Sequence, residues 1–229
     1  PCPTGITEYE FFTEKTTVNL SAIFDGAIIR YTLDNTAPNS QSLLYTGPFE
    51  VGGSAVLKAR TFMPNGKYSH IVTSFLQKSE NINPVTHSDT TPGLTVSHSK
   101  GVIESVNEIK NLKTDSTYSI CSFVLPSTYD TCDYFALDYS GYIRIEKEGT
   151  YSFYTTSDDG SALYLNDNLL VYNDGKHGKK EKIGKIPLKK GFYKIQLLYF
   201  DNHWGQYLKV EYEGPKIAKT EIPAEILFH

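Results

Sequence analysis

Alternation of apolar and polar residues is the feature of this sequence that most limits how the chain can fold. It runs through residues 29–33, 57–60, 143–146, 193–199 and 208–212. A period of two sends successive side chains to opposite faces of a β-strand, so each segment predicts a strand with one buried and one solvated face. Such strands are typical of antiparallel sheets.

Turn sequences stand between these segments. Residues 64–66 read Pro-Asn-Gly, residues 173–175 read Asn-Asp-Gly and residues 189–191 read Lys-Lys-Gly. These residue types favour tight turns, and short strands at this spacing predict an all-β fold of sandwiches or barrels. A weak helical spacing is found at Ile103, Val106, Ile109 and Leu112. It is too short to decide whether a helix forms there.

The length of 229 residues is sufficient for two domains. Residues 78–91 are polar, contain Pro84 and lack an apolar period, so they are predicted to be a linker. The sequence therefore predicts a smaller β domain over residues 1–77 and a larger β domain over residues 92–229.

Charge and hydropathy exclude several classes of partner. The formal net charge is -4, which gives no electrostatic basis for binding a nucleic acid. The basic run at residues 176–185 has no aromatic interleaving, so it is interpreted as a solvated loop. No apolar stretch approaches the roughly 18 residues of a membrane-spanning helix, and residues 1–12 lack the regions of a signal peptide. We therefore expect a soluble fragment or a mature product without a membrane span.

The three cysteines, Cys2, Cys121 and Cys132, match no metal-binding spacing. Cys121 and Cys132 could form a disulfide between neighbouring strands in an oxidising compartment, or both could be reduced. The sequence leaves these two alternatives open.

Residues 18–76 resemble a known family of small domains. The stretch resembles the β-sandwich domain at the C-terminus of chitobiases and beta-hexosaminidases, which has an Ig-like or fibronectin-like fold. Known examples are appended to catalytic domains and carry no catalytic residues, so the resemblance implies the same here. The residues that carry it are Ile29, Tyr31, Thr32, Leu33, Asp34, Pro38, Ser42, Tyr45, Pro48, Leu57, Lys58, Ala59 and Ser69.

The larger domain resembles the PA14 (protective-antigen-like) family. The matching elements occur in the family's order over about 130 residues, and the resemblance implies an antiparallel β-barrel or sandwich, most often one that binds carbohydrate. They are Gly141-Tyr142, residues 149–153, Ser157-Asp158-Asp159-Gly160-Ser161, Leu163-Tyr164, residues 173–178, Leu188, Gly191 and Tyr199-Phe200.

The resemblance also implies a metal site. In the calcium-dependent lectin members, the two adjacent aspartates are joined by a cis peptide bond and both bind one calcium ion, which assigns that role to Asp158 and Asp159. Calcium needs about six to eight oxygen ligands. The loop that completes the lectin site corresponds here to residues 199–210, where Asp201 or Asn202 supplies the side-chain ligand and carbonyls near His203 and Trp204 add to it. In the alternative, the two aspartates brace their loop by accepting main-chain hydrogen bonds, without calcium.

Three further residues are candidates for contacts with a sugar, beside Asp158 and Asp159. Trp204, the only tryptophan, could stack its indole on a sugar ring or pack over the end of the barrel. His177 could contact a sugar or fix the geometry of its turn. Asp174 is expected to face the same site.

The sequence contains no recognisable catalytic centre. Glycoside hydrolysis usually needs two carboxylates about 5 to 10 Å apart across a cleft, which two adjacent aspartates on one turn do not provide. Family 20 hexosaminidases use an adjacent Asp-Glu pair, and this sequence has no Asp-Glu dipeptide. We therefore expect no enzymatic activity of this chain itself.

The order of the two domains resembles the C-terminal region of a bacterial beta-N-acetylhexosaminidase. It implies an accessory region of a secreted, periplasmic or cell-surface glycosidase whose PA14 domain binds a glycan or amino sugar with the help of calcium. Two alternatives stay open. The domains could be a purely structural module that packs on the parent's catalytic domain, or they could form a calcium-dependent adhesin.

Overall fold

The computed structural model describes residues 1–79, 83–88, 91–129 and 132–229. The chain forms two compact units, Pro1–Glu80 and Asn81–His229. The predicted linker at residues 78–91 lies partly outside the described residues. Within it, Val85 pairs with Phe192 by a β-bridge and the His87 ring stacks on Tyr142, so residues 83–88 pack on the second unit.

Within residues 1–79, the first unit forms seven strands. β1, β7, β6, β3 and β4 form one sheet in that order, in which β1 and β7 are parallel, and β2 pairs with β5. The strands are β1 (Tyr9–Phe12), β2 (Thr16–Val18), β3 (Ile28–Thr32), β4 (Leu43–Leu44), β5 (Phe49–Val51), β6 (Ala55–Phe62) and β7 (Val72–Lys78).

Alternate residues of β3 and β6 form the core of the first unit. Ile29, Leu57 and Ala59 are buried, as the two-residue period predicts, and Val18 and Val51 join them from the small sheet. The unit is thus a β-sandwich whose core is mostly aliphatic, with Phe12 also buried in it.

The described residues of the second unit form eleven strands and three short 3-10 helices. The strands are β8 (Leu94–Lys100), β9 (Thr114–Ile120), β10 (Phe135–Ile145), β11 (Gly149–Asp158), β12 (Ser161–Leu165), β13 (Asn168–Asn173), β14 (Lys180–Leu188), β15 (Gly191–Asp201), β16 (Tyr207–Gly214), β17 (Ile217–Glu221) and β18 (Leu227–Phe228). The helices are Val106–Asn111, Ser127–Tyr129 and Ala224–Ile226.

Two sheets face each other in this unit. Sheet A has the order β13-β12-β15-β10-β8-β9, with β18 also paired to β10, and sheet B has the order β17-β16-β11-β14. Tyr139 and Tyr199 from sheet A and Tyr151 and Phe153 from sheet B are almost completely buried. Among the described strands neither sheet closes on itself, so the unit is an antiparallel sandwich and not a closed barrel.

The weak helical spacing at residues 103–112 gives a single 3-10 helix, Val106–Asn111. Ser105 caps it by accepting a hydrogen bond from the main-chain nitrogen of Asn107. Val106 and Ile109 are buried against Ala136 and Phe200 of sheet A. Packing on the sheet therefore stabilises a helix that the sequence pattern alone leaves undecided.

Two other local features are now defined. The sequence predicts a loop for the basic run at residues 176–185, but its second half begins β14, because Lys180–Lys185 pair with β11.

All three cysteines are free, and Cys121 and Cys132 are exposed. No helix in the described ranges is long and apolar enough to cross a membrane.

Candidate functional site

The candidate site lies where one strand of each sheet ends. In β15 the buried positions Tyr193, Ile195, Leu197 and Tyr199 continue in phase to Asp201, the last residue of the strand. In β11 the buried positions Thr155 and Ser157 continue in phase to Asp159, just after the strand. The two-residue period therefore directs both carboxylates inward at the same end of the sandwich.

Asp159 ties two loops together. The peptide bond between Asp158 and Asp159 is cis, as in the lectins that the sequence resembles. The Asp159 carboxylate, 6% exposed, accepts hydrogen bonds from the main-chain nitrogen of His177 (3.0 Å) and from that of Asn202 (2.9 Å). Charge-assisted bonds of this kind brace a loop strongly, so one predicted role of the pair, bracing, is visible at Asp159.

Asp158 lies beside it in a different environment. Its main-chain oxygen accepts a hydrogen bond from the Tyr199 hydroxyl at 2.6 Å. Partial burial and the neighbouring Asp159 charge raise the pKa of the Asp158 carboxyl, although His177 and the main-chain N–H of Lys179 act in the opposite direction. The Asp158 carboxylate is thus the more open of the two.

Asp201 is the most unusual group of the site. Its side chain is fully buried, and neither carboxylate oxygen has a hydrogen-bond partner among the described residues. Burial, followed by the charges of Asp159, Asp133 and Asp158, raises the pKa of Asp201 to about 7. Buried carboxylates without a partner are costly and rare, so a missing positive group would suit this position.

Asn202 does not share this property. Its side-chain oxygen accepts a hydrogen bond from the main-chain nitrogen of Ile103 at 3.2 Å, and its side-chain nitrogen donates to the oxygen of the same residue. Of the two residues predicted as the later metal ligand, the structure leaves Asp201 open and uses Asn202 to hold the 101–105 loop. Asn202 has this role because its side-chain amide both accepts a hydrogen bond from the main chain of Ile103 and donates one to it.

Asp174 lies beside the site, and its carboxylate is hydrogen-bonded to the start of the 106–111 helix. Its carboxylate accepts hydrogen bonds from the Ser105 hydroxyl (2.6 Å), the Val106 main-chain nitrogen (2.8 Å) and the Tyr172 hydroxyl (2.7 Å). These bonds outweigh burial and lower the pKa of Asp174. The structure gives Asp174 a structural role, because it anchors the start of the helix, and the sugar contact stays a prediction.

Asp174→Asn is expected to lower the free energy of unfolding at pH 7 by about 1.5 to 3 kcal/mol, because hydrogen bonds to a charged acceptor are lost. The contribution of a lowered pKa is fully present above the pKa of an unfolded aspartate, about 3.9, and is lost as the pH falls through the lower folded value. Urea unfolding at pH 7 and pH 3 measures both effects. A variant as stable as wild type at pH 7 would contradict the anchoring role.

His177 is also held by its own turn. Its Nδ1 lies 2.9 Å from the main-chain oxygen of Gly178, and its Nε2 lies 3.0 Å from that of Asn173. Both ring nitrogens face main-chain oxygens, of which a neutral ring donates to one, and this position corresponds to the second sequence interpretation, a histidine that fixes turn geometry.

Trp204 is open to solvent. It is 85% exposed and has a positive φ of 79°, and its ring meets His203 edge to face. The His203 ring stacks on Tyr134 with centroids 5.7 Å apart, and its Nδ1 lies 3.4 Å from an Asp133 carboxylate oxygen. The alternative in which Trp204 packs over the end of the sandwich is wrong, because an exposed side chain has no such packing.

The described residues do not form a metal-binding cluster of His, Cys, Asp and Glu side chains. Among the described residues, no three His, Cys, Asp or Glu side chains form a group that could hold a metal ion. The fit to a cation therefore depends on Asp201, whose two buried oxygens have no partner in that part of the chain and whose pKa responds to Asp158 and Asp159.

Comparison with protein families identifies the second unit. Residues 77–225 match the family model of the PA14 domain. The chain belongs to the PA14 domain family. Residues 8–73 of the first unit match the model of the chitobiase/beta-hexosaminidase C-terminal domain. Both family resemblances of the sequence are thereby confirmed.

A curated relative matches most of this chain. A beta-hexosaminidase of Porphyromonas gingivalis is 22% identical over 205 residues, which is 86% of this chain. The match covers 26% of that enzyme, so this PA14 protein spans about a quarter of the length of its relative.

Solved structures show the same fold. The PA14 domain of the MpAFP antifreeze protein is 16% identical with a TM-score of 0.52, and the match covers 62% of this chain and 95% of that domain. The PA14 sugar-binding domain of an RTX adhesin is 15% identical with a TM-score of 0.53, over 61% of this chain and 99% of that domain. An anti-sigma factor domain-containing protein matches 98% of this chain and 82% of its own, at 20% identity and a TM-score of 0.54.

Some residues around the site of this PA14 domain could not be found from the sequence. Asp133 and Tyr134 reach it from the loop before β10, and the main chain of Ile103 reaches it from the 101–105 loop. No motif marks these positions. The positive φ of Tyr134, 60°, places a large side chain in a conformation that sequence patterns do not predict.

Proposed function

We propose that the PA14 unit binds a glycan through a calcium ion held by Asp158, Asp159 and Asp201. The observation that carries the proposal is the Asp201 carboxylate, which is fully buried and has no partner among the described residues. Burial and then the repulsion from its acidic neighbours raise the pKa of Asp201, and a cation would offset that repulsion. Calcium suits an all-oxygen ligand set that includes carboxylates and main-chain carbonyls.

In this proposal the residues have separate roles. Asp158, Asp159 and Asp201 would hold the ion, which when bound supplies a positive centre for sugar hydroxyls. Asp159 also fixes the two loops that carry His177 and Asn202. Trp204 offers an exposed aromatic face at the rim, suited to the apolar face of a sugar ring.

The proposed context is an accessory region of a bacterial glycosidase of the beta-hexosaminidase type, secreted, periplasmic or at the cell surface. The chitobiase/beta-hexosaminidase C-terminal match and the beta-hexosaminidase relative support this context. The sugar-binding PA14 domain of an RTX adhesin supports a glycan as the ligand. Neither domain would catalyse a reaction; glycan binding would instead raise the local concentration of a linked enzyme at its substrate.

A purely structural role is the second candidate, and the bonds of Asp159 favour it. They brace the loops without any ion. Calorimetric titration of the full chain separates the two candidates: calcium is added first, then N-acetylglucosamine, galactose and mannose in turn. We expect calcium to bind, one or more sugars to bind only with calcium, and both to be lost in Asp158→Ala. No heat from calcium or any sugar, with the variant indistinguishable from wild type, would leave the structural role.

Trp204→Ala is expected to weaken calcium-dependent sugar binding by roughly 2- to 10-fold, the range of one aromatic contact, without changing calcium affinity. Because the side chain is exposed, the melting temperature should stay at the wild-type value. Calorimetry with the sugar that binds most tightly measures the effect, and Trp204→Phe, which keeps an aromatic face, is the matched control. Unchanged sugar affinity in Trp204→Ala would remove the stacking role.

A further inference from the structure

A cavity lies away from the aspartate pair, on the outer face of sheet A. It has a volume of about 360 Å³ and is bounded by the 106–111 helix on one side and by strands β8, β10 and β15 on the other. Ligand sites of proteins begin at about this size.

The lining of this cavity combines hydrogen-bonding and apolar surfaces. Leu112 and Leu198 supply most of the apolar part, beside the buried Val106 and Ile109. The polar part comes from both the helix and the strands. Its side chains are Ser97, Ser99, Asn107, Asp138, Tyr164 and Gln196. A sugar ring presents the same combination, hydroxyl groups around its edge and C–H groups on its faces.

Asp138 is the main hydrogen-bonding group of the cavity. Both of its carboxylate oxygens accept from the same donor, Nε2 of Gln196, at 2.9 and 3.0 Å. Burial raises the pKa of Asp138, while the bonds from Gln196 act in the opposite direction. A carboxylate with two oxygens and one donor group retains capacity to accept hydroxyl hydrogens.

The cavity is formed before any ligand arrives. Two hydrogen bonds to Asp174, from the Ser105 hydroxyl and the Val106 main-chain nitrogen, fix the start of the helix, and Val106 and Ile109 are buried on the sheet. The helix therefore stands at a defined distance from Asp138. A preformed site lowers the entropic cost of binding.

A neighbouring cavity extends the first along the sheet. It measures about 330 Å³ and shares Gln196 with the first cavity. Its other polar side chains include Thr95, Ser140, Tyr142 and Lys194. In the sheet Ser140 pairs with Gln196 on one side and with Thr95 on the other, so these residues form one polar row across β15, β10 and β8. We call the two cavities together the outer-face groove.

The charges of the outer-face groove are balanced. The first cavity has Asp138 and Lys110 in its lining, and the second has Asp167 and Lys194, which lie 3.4 Å apart, together with His229. Neither an anionic nor a cationic ligand is favoured by such a lining. A neutral ligand with many hydroxyl groups fits both the charge balance and the mixed surface.

We propose that the outer-face groove binds a neutral oligosaccharide independently of calcium, with one sugar unit in each cavity and Asp138 and Gln196 as its principal hydrogen-bonding groups. This goes beyond the calcium site, because no residue of one site belongs to the other. The unit would then contact a glycan at two places, and the two proposals can fail separately.

The test is an amide chemical-shift titration of the full chain in EDTA. N-acetylglucosamine, its β-1,4-linked disaccharide, galactose and lactose are the probes. We expect saturable shifts at Ser97, Asp138 and Gln196, with at least one disaccharide bound more tightly than its monosaccharide. Asp138→Ala should weaken that binding by about tenfold or more. Asp158→Ala, which removes only a calcium ligand, should bind in EDTA as wild type does.

Asp138→Asn is a second variant for the case in which Asp138→Ala does not fold, because the asparagine side-chain oxygen still accepts a hydrogen bond from Gln196. Because shifts of the wild-type chain locate the ligand without any substitution, the mapping does not depend on a variant. The proposal is overturned if none of the four sugars gives saturable shifts in the groove in EDTA, or if folded Asp138→Ala and Asp138→Asn both keep wild-type affinity. Saturable shifts that are confined to residues 158–160 and 201–205 and that require calcium would overturn the groove proposal and support the calcium site.

Discussion

Asp201→Asn is expected to weaken calcium binding on the order of a hundredfold, as removal of one charged ligand from a small set implies. Without calcium the same change should raise the free energy of unfolding by about 1 to 3 kcal/mol, because a buried carboxylate without a partner is replaced by a neutral amide of the same shape. Weaker calcium binding together with higher stability of the calcium-free protein is the result expected for a residue whose role is to bind a cation. Calorimetric titration and urea unfolding in EDTA measure them.

Asp167→Asn is the matched control for this prediction. Asp167 is an exposed carboxylate paired with Lys194, so its replacement should change neither calcium affinity nor stability by more than about 0.5 kcal/mol. If Asp201→Asn kept wild-type calcium affinity, Asp201 would not be a ligand. If the Asp201→Asn variant were less stable than wild type without calcium, the carboxylate oxygens of Asp201 would have hydrogen-bond partners in solution.

Asp159→Ala and Asp158→Ala are expected to differ sharply in stability while both lose calcium binding. Asp159 accepts two main-chain hydrogen bonds from buried surroundings, so its removal should lower the free energy of unfolding by about 3 to 5 kcal/mol. Asp158 is more open, and its main-chain bond with Tyr199 survives truncation of the side chain. We expect Asp158→Ala to cost less than about 1 kcal/mol.

Urea unfolding of both variants in EDTA measures this contrast, and Asp159→Asn, which keeps one acceptor oxygen, should fall between them. Equal stability losses at the two positions would contradict the division of roles, in which Asp159 braces the loops and Asp158 serves the ligand. Calcium binding that persisted in folded Asp158→Ala would remove that residue from the ligand set.

The two-residue period explains how much of the fold could be predicted. It places Tyr193, Ile195, Leu197 and Tyr199 on the buried face of β15, and the structure confirms that phase. The same phase, continued by one step, buries Asp201. The family resemblance drew attention to Asp158 and Asp159, but that resemblance could not separate Asp201 from Asn202.

Contacts between distant loops explain what could not be predicted. Asn202 meets Ile103 across 99 positions of sequence, and Asp174 meets Ser105 across 69. Neither pair has a local pattern, because each depends on how the ends of both sheets come together. Both contacts give a predicted site residue a structural role that the sequence does not indicate.

The outer-face groove was missed for a similar reason. Asp138 and Gln196 lie on adjacent strands of sheet A, and only the observed pairing of β10 with β15 brings them within hydrogen-bond distance. In the sequence they are the ordinary polar residues of an alternating strand. The register of two strands, and not a motif, makes them a pair.

A crystal structure of this chain grown with calcium tests the central claim most directly. We predict one calcium ion bound by the carboxylates of Asp158, Asp159 and Asp201, with the remaining ligands supplied by main-chain oxygens, water or sugar hydroxyls. A site without calcium under those conditions, with the Asp201 carboxyl hydrogen-bonded to protein or water, would contradict the claim and leave the aspartate pair as a brace for its loops.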